Sequence, residues 1–177
     1  MIQEKVIVKS IDGKDNACVR TEKFGELMRY RSEMLVIKGN KVLLALNDTE
    51  HNPGKRPYSI PGGGFDGDET PIETAVRETR EEVRMIVTNC KTYGHRIEIL
   101  PEPIQWVKDN IPEEYQWRAY YSHIVVGEFL EYYEGDLEER DSLIDRVNFY
   151  PISDVIDMLT PYHQSAIEKY LLWRDGE

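Results

Sequence analysis

Three glutamates, Glu78, Glu81 and Glu82, close the stretch PGGGFDGDETPIETAVRETREEV from Pro61 to Val83, and Gly62, Gly63, Gly64 and Gly67 open it. At 100° per residue the three carboxylates fall side by side along one border of a helix. They occupy its C-terminal part, where negative charge opposes the helix dipole. Glu78 and Glu82 are also a like-charge pair one turn apart, and each of these penalties is roughly a few tenths of a kcal/mol. A solvated acidic face is one reading of such a run. The glycines supply another. A backbone without Cβ atoms can approach a ligand closely and offer carbonyls and amides, and oxygen donors grouped beside it suit a hard cation such as Mg²⁺, whose charge cancels the repulsion.

The elements that must hold these residues follow from local signals. Thr70, Pro71 and Glu73 form a helix start: Thr70 caps, Pro71 fits the first turn and Glu73 reaches back to complete a capping box. Ile72, Ala75, Val76, Thr79 and Val83 make the stripe that packs on a sheet. Glu73, Arg77 and Arg80 lie on the wetter side, with Glu73 and Arg77 spaced as an i,i+4 ion pair. Upstream, EKVIVKSIDGK alternates as an edge strand before a turn at Asp12 and Gly13, and SEMLVIKGNKVLLAL gives two strands joined by a tight hairpin at Gly39 and Asn40. NDTEHNPGKRP reads as a loop. Downstream, MIVTNCKTYGHRIEIL and RAYYSHIVVGEFLEY are long strands. Between them PEPIQWVKDNIPEEYQW, with three prolines and two tryptophans, reads as an inserted loop, and EYYEGDLEERDSLIDR as a solvated acidic loop. Ser153 is placed to cap a short helix. A final helix has Thr160 as N-cap, Pro161 at its first position and an apolar stripe at Ala166, Ile167, Tyr170 and Leu171. The sum is one α/β domain over residues 1–177, a mixed sheet with two or three helices packed on it.

Composition sets the bounds. A chain of 177 residues with 40% hydrophobic residues is long enough for one substantial core and short for two. The net charge of −11 disfavours a polynucleotide-binding surface, because phosphate backbones are held chiefly by lysine and arginine. Small anionic ligands remain open through a bound cation or a local basic cluster. The spacing of Cys18 and Cys90 is that of neither a metal nor a redox motif, which fits a reduced, cytoplasmic protein, with a single disulfide still possible. Nowhere do apolar residues continue for the roughly 18 positions that a membrane helix requires.

From Gly63, five residues lead to Glu69, seven more to Arg77 and Glu78, and two more to Glu81 and Glu82. This resembles the signature of the Nudix hydrolases, G-x5-E-x7-R-E-U-x-E-E-x-G-U with U apolar, over Gly63 to Met85. The lead-in YSIPGGG and the late FYPI before a helix are also similar to the family. The resemblance implies an α/β/α sandwich around a central mixed sheet, and hydrolysis of a diphosphate linked to another moiety with Mg²⁺ or Mn²⁺. Carried over position by position, Glu78, Glu81 and Glu82 match metal ligands, with Gly63 supplying backbone contacts, and Glu69 and Arg77 match a structural brace. Glu81 or Glu82 is the expected general base. Later alternatives are Asp145, Glu138, Glu139, Glu113 and Glu114, each equally at home as a surface charge. Two positions depart from the pattern. Thr79 replaces an aliphatic residue, and Arg84 replaces a glycine, so that Arg84 must either accept a left-handed conformation at about 1 kcal/mol or let the helix run on.

Substrate recognition lies outside the signature. Arg29, Arg31, Lys55 and Arg56 are candidates for holding phosphates, or are ordinary surface cations. Trp106, Tyr115 and Trp117 can stack on a base, or pack over a sheet edge or in a dimer contact. His123 and His163 read as structural. The leading expectation is a pyrophosphohydrolase acting on a small nucleotide or nucleoside diphosphate derivative, with a homodimer possible. The alternatives are a nucleotide-sensing module that keeps the fold without turnover and an isoprenoid-diphosphate isomerase, for which neither cysteine is persuasively placed. An RNA 5′-end hydrolase is disfavoured by the acidic balance.

Overall fold

The computed structural model describes residues 1–50, 57–135 and 146–176. Its centre is β3 (Met28–Lys38), whose apolar run is buried on both faces, as a central strand demands. Alternation along β3 sorts the core into two layers. Met34 and Val36 face one way, with Leu43, Val125 and the helix residues Ala75 and Val83. Leu35 and Ile37 face the other way, with Val42, Leu44, Ile124, Ile152, Val155 and Ile167. Each of the valines, leucines, isoleucines and methionines among them contributes about 1.5–3 kcal/mol by leaving water. The first layer is covered by α1 (Pro71–Val83), the second by α3 (Ile152–Met158) and α4 (Pro161–Asp175). The result is the expected α/β/α sandwich.

Around β3 the sheet is mixed. β1 (Ile2–Lys9) pairs only with β2 (Asp15–Thr21) among the described residues, which makes it the anticipated edge strand. β2 continues antiparallel onto β3. β4 (Lys41–Leu46) follows β3 through a two-residue turn, in which only Gly39 takes a positive φ, of 62°. β4 also pairs with β5 (Tyr58–Ser59) and β9 (Val147–Pro151). β8 (Ala119–Tyr132) runs parallel to β3 from Met28↔Ala119 to Ile37↔Glu128, and β7 (Met85–Ile99) pairs antiparallel with β8.

Several local expectations are corrected. The segment between β7 and β8 is not a plain loop: it forms α2 (Gln105–Asn110) and a 3-10 turn over Glu113–Tyr115, because Val107, Ile111 and Trp117 supply an apolar face that packs on Val8, Cys18 and Leu27. Ser153 does not cap α3. That helix begins after Pro151, and Ser153 lies inside it, bonded to Asp154. The glycine triplet, to which no element was assigned, forms β6 (Gly62–Gly64), paired with β3 through Glu33↔Gly62, Ser32↔Gly63 and Arg31↔Gly64. Among the described residues there are four α-helices rather than two or three. The strand β2 was not anticipated, because DNACVRT mixes polar and apolar residues without clean alternation.

Candidate active site

The site forms where α1 meets β6. The helix is fixed at its N-terminus by the expected capping box: Glu73 N donates to Thr70 Oγ1 at 3.2 Å, and Thr70 N to Glu73 Oε2 at 3.1 Å. The Ser32 hydroxyl on β3 also donates to Pro71 O at 2.6 Å, which ties this end of the helix to the sheet. At the other end Arg84 stops the helix in the left-handed conformation, with φ 53° and ψ 45°. Of the two alternatives for this arginine, strain and termination is the one adopted. Thr79 is fully buried, and its hydroxyl donates back to Ala75 O at 2.7 Å, so its polar group is satisfied within the helix.

Arg77 turns inward rather than toward Glu73. Its Nε donates to both carboxylate oxygens of Glu69 at 3.0 Å, its Nη1 to Glu78 at 2.9 Å and Glu81 at 3.1 Å, and its Nη2 to Gly64 O at 2.9 Å. The expected Glu73–Arg77 pair is displaced by these charge-assisted bonds, and Glu73 serves the cap instead. Glu69 further accepts from Asp66 N at 2.9 Å, so one guanidinium and one carboxylate join β6, the following loop and α1. Burial works against the charge on Arg77, but bonds to Glu69 and the charge of Glu78 hold its pKa above the ordinary value.

Glu78 and Glu82 come together at the glycine strand. A Cβ on Gly63 would lie 2.4 Å from the Glu78 carboxyl, so the carboxyl occupies the space that only glycine leaves open. Glu82 accepts from the Gly62 backbone and is hydrogen-bonded to Glu78. Burial, and then the neighbouring Glu78 charge, push the Glu82 pKa well above the usual carboxylate range. Glu81 is drawn to Arg77. Among the described residues, no three acidic, histidine or cysteine side chains converge as a cation cage. The donor set nevertheless fits a hard divalent cation: two touching carboxylates beside a glycine backbone carry a repulsion that such a charge relieves, and Glu81 lies on the adjoining helix position.

Both arginines of β3 reach this corner. The Arg29 guanidinium packs on Gly64, where a Cβ would lie 2.0 Å from Nη2; its Nη1 donates to Ala17 O at 2.7 Å, and it lies over the Trp117 ring. Burial lowers its pKa, and the Glu78 charge acts in the opposite direction. Arg31 favours the ionised form of Glu82. Arg56, like Lys55, Glu138, Glu139 and Asp145, lies outside the described residues. Glu113 and Glu114 are solvent-exposed. Trp117 is buried, whereas Trp106 and Tyr115 are each 45% exposed. His123 bonds Tyr30 Oη at 2.7 Å, and His163 bonds Arg96. Cys18 is buried among apolar side chains, and burial raises its pKa to about 11, a poor placement for acid-base work. Sequence reading missed Glu33, a buried carboxylate on β3 next to Gly62, and its partner Arg96. A lone acid within SEMLVI was the available signal.

A model of the NUDIX domain matches residues 29–173, from the first of these arginines to near the end of α4. The chain belongs to the Nudix family. Its enzyme class is therefore the Nudix-type pyrophosphohydrolase. Solved structures agree on the fold: a Nudix hydrolase from Nitrosomonas europaea superposes with a TM-score of 0.60 at 17% identity, covering 82% of this chain and 89% of that one. An ADP compounds hydrolase gives 0.56 at 16%, covering 99% and 97%. A C. elegans Ap4A hydrolase in a binary complex gives 0.52 at 14%, covering 83% and 99%. No curated protein matches the sequence significantly. No helix among the described residues is long and apolar enough to cross a membrane.

Proposed function

We propose that this Nudix protein hydrolyses a diphosphate linkage in a small nucleotide or nucleoside diphosphate derivative, with Mg²⁺, or Mn²⁺ in its place, as cofactor. The observation that carries the reading is the contact of the Glu78 and Glu82 carboxyls against β6, with the Arg29 and Arg31 guanidiniums at the same corner. Glu78, Glu81 and Glu82, with the Gly63 backbone, are the groups that would hold the metal. When bound, it supplies neutralisation of the phosphoryl oxygens and a more acidic water. Arg29 and Arg31 bind and orient the anionic substrate. Glu82 or Glu81 takes the proton of the attacking water. The Glu69–Arg77 brace keeps β6 and α1 in register, so that these groups stay within reach of one another. The named activities of the similar structures, on ADP compounds and Ap4A, support a nucleotide-linked diphosphate as the substrate class. A cytoplasmic location and a small-molecule partner rather than a polynucleotide complete the reading.

The test incubates the protein with Mg²⁺ and a panel of nucleoside triphosphates, dinucleoside polyphosphates and nucleotide sugars, with Glu82→Gln as control. Turnover of at least one substrate that the variant does not match is expected. No turnover across the panel, or equal turnover by the variant, overturns the proposal.

A further inference from the structure

Beneath β6 lies a second set of charged residues that the proposed chemistry does not use. Glu33 on β3, Arg96 on β7 and His163 on α4 are exposed to only 1%, 5% and 4%. Glu33 Oε2 is hydrogen-bonded to Arg96 Nη2, and the same nitrogen lies 3.0 Å from His163 Nδ1. A guanidinium can only donate, so His163 Nδ1 accepts and the imidazole proton is assigned to Nε2. β3, β7 and α4 are thus joined by one chain of polar contacts.

A buried ion pair is weak evidence for stability, because desolvation offsets most of the attraction and apolar residues of equal volume would do as well. The geometry offers a different use. The Glu33 side chain lies directly under the glycine strand: a Cβ on Gly62 would sit 2.7 Å from Glu33 Cγ. The Gly62 backbone is also the group that bonds Glu82. The other Glu33 oxygen faces Arg31, with Nη1 at 3.8 Å from Oε1 and the Arg31 side chain 27% exposed. Arg31 therefore stands between a buried carboxylate that is fixed from below and the open corner that holds Glu78 and Glu82. Because Arg96 already neutralises Glu33, the carboxylate restrains Arg31 without drawing it into a tight pair.

We propose that Glu33, held by Arg96, which His163 holds in turn, is a positioning residue that fixes the Arg31 guanidinium as the phosphate-binding arm of the site. A long, flexible arginine loses several rotamers on binding an anion, and a preset one loses fewer, so the clamp acts on affinity. The inference rests on the diphosphate reading above, and its test separates the two.

The experiment measures calorimetric binding of ADP, without added metal, to the wild type, Glu33→Gln, Arg31→Gln and the double variant, beside the steady-state constants of whichever panel substrate is turned over. Glu33→Gln is expected to weaken ADP binding about tenfold, through the rotamer freedom that an unrestrained Arg31 must lose on binding. It should raise KM by a similar factor while leaving kcat nearly unchanged. On the Arg31→Gln background the Glu33 substitution should add less than about a twofold effect, a non-additivity that general loosening of the fold would not produce. Arg96→Lys is read in the same cycle where Glu33→Gln does not fold, with the same expectation. Wild-type affinity in Glu33→Gln, or a full additional loss on the Arg31→Gln background, overturns the proposal. Coupling in ADP binding with no turnover of any substrate leaves the positioning role standing and removes the hydrolase reading. Turnover without coupling does the reverse.

Discussion

Helices α1 and α4 begin with the same dipeptide, Thr-Pro, and use it differently. At Thr70-Pro71 the hydroxyl accepts from the Glu73 amide and the glutamate answers. At Thr160-Pro161 the Thr160 hydroxyl is buried without a hydrogen-bond partner among the described residues, and the residue three further on is His163, committed to Arg96. The other ends are inverted as well. α1 stops on an arginine in the left-handed conformation, whereas α4 stops at Gly176 with φ −91°, a conformation that needs no glycine. One start signal therefore gives two outcomes according to what each helix must carry. α1 is held in register because the carboxylates near its end must meet β6. α4 is held by apolar packing and spends its third position on the buried Arg96.

The contrast can be broken from either side. The largest effect is expected at the far end of α1, where Glu82→Gln should lower turnover on the order of 10²–10⁴-fold, the usual range for losing a positioned acid-base group. The same variant should show a smaller rise of the thermal midpoint with Mg²⁺ than the wild type, since it has less repulsion to relieve. Next come the two caps. Thr70→Ala should cost about 1 kcal/mol in urea unfolding, whereas Thr160→Ala should cost less than about 0.5 kcal/mol. Equal losses would mean that the shared dipeptide acts alike in both helices, against the geometry. Third, Arg84→Gly should stabilise the protein by about 0.5 kcal/mol through relief of the left-handed strain, measured as a higher urea midpoint at unchanged slope.

The effect that vanishes at neutral pH concerns the imidazole on the α1 side of the sheet. Burial, with smaller contributions from His95 and Lys5, lowers the His123 pKa from 6.5 to about 4. The unfolded chain then binds a proton that the folded chain refuses between these values. His123 therefore costs nothing above about pH 6.5 and lowers stability progressively as the pH falls from there toward 4. Replacement by Asn should flatten that part of the stability profile in chemical denaturation measured across pH.

What the sequence disclosed follows from range. The Thr70 capping box, the Gly39 turn, the two long strands β7 and β8 and the apolar stripe of α4 are set by neighbours a few positions apart, and each is found where its pattern places it. The spacing of Gly63, Glu69, Arg77, Glu78 and Glu82 likewise anticipated which residues meet, since a single helix and the strand before it carry them. Long-range effects were not legible. Arg77 abandons Glu73 because Glu69 and Gly64 arrive from outside the helix. The glycines become a strand because β3 offers a free edge. Trp117 and Val107 fold the insertion because Val8 and Leu27 lie beneath it. Nothing near Glu33 in sequence accounts for a buried carboxylate on β3, and only the arrival of Arg96 from β7, itself bonded to His163 of α4, explains it.

The parallel pairing of β3 with β8 has a consequence for how the chain reaches this structure. β6, α1 and β3 are close in sequence and can associate early, whereas β8 belongs to residues 119–132 and joins β3 only after most of the chain is available. Contacts of such separation are entropically late and favour folding in milliseconds to seconds rather than microseconds. The corner that carries the chemistry is thus built from segments near in sequence, whereas β8, on the opposite edge of β3, is among the last to arrive.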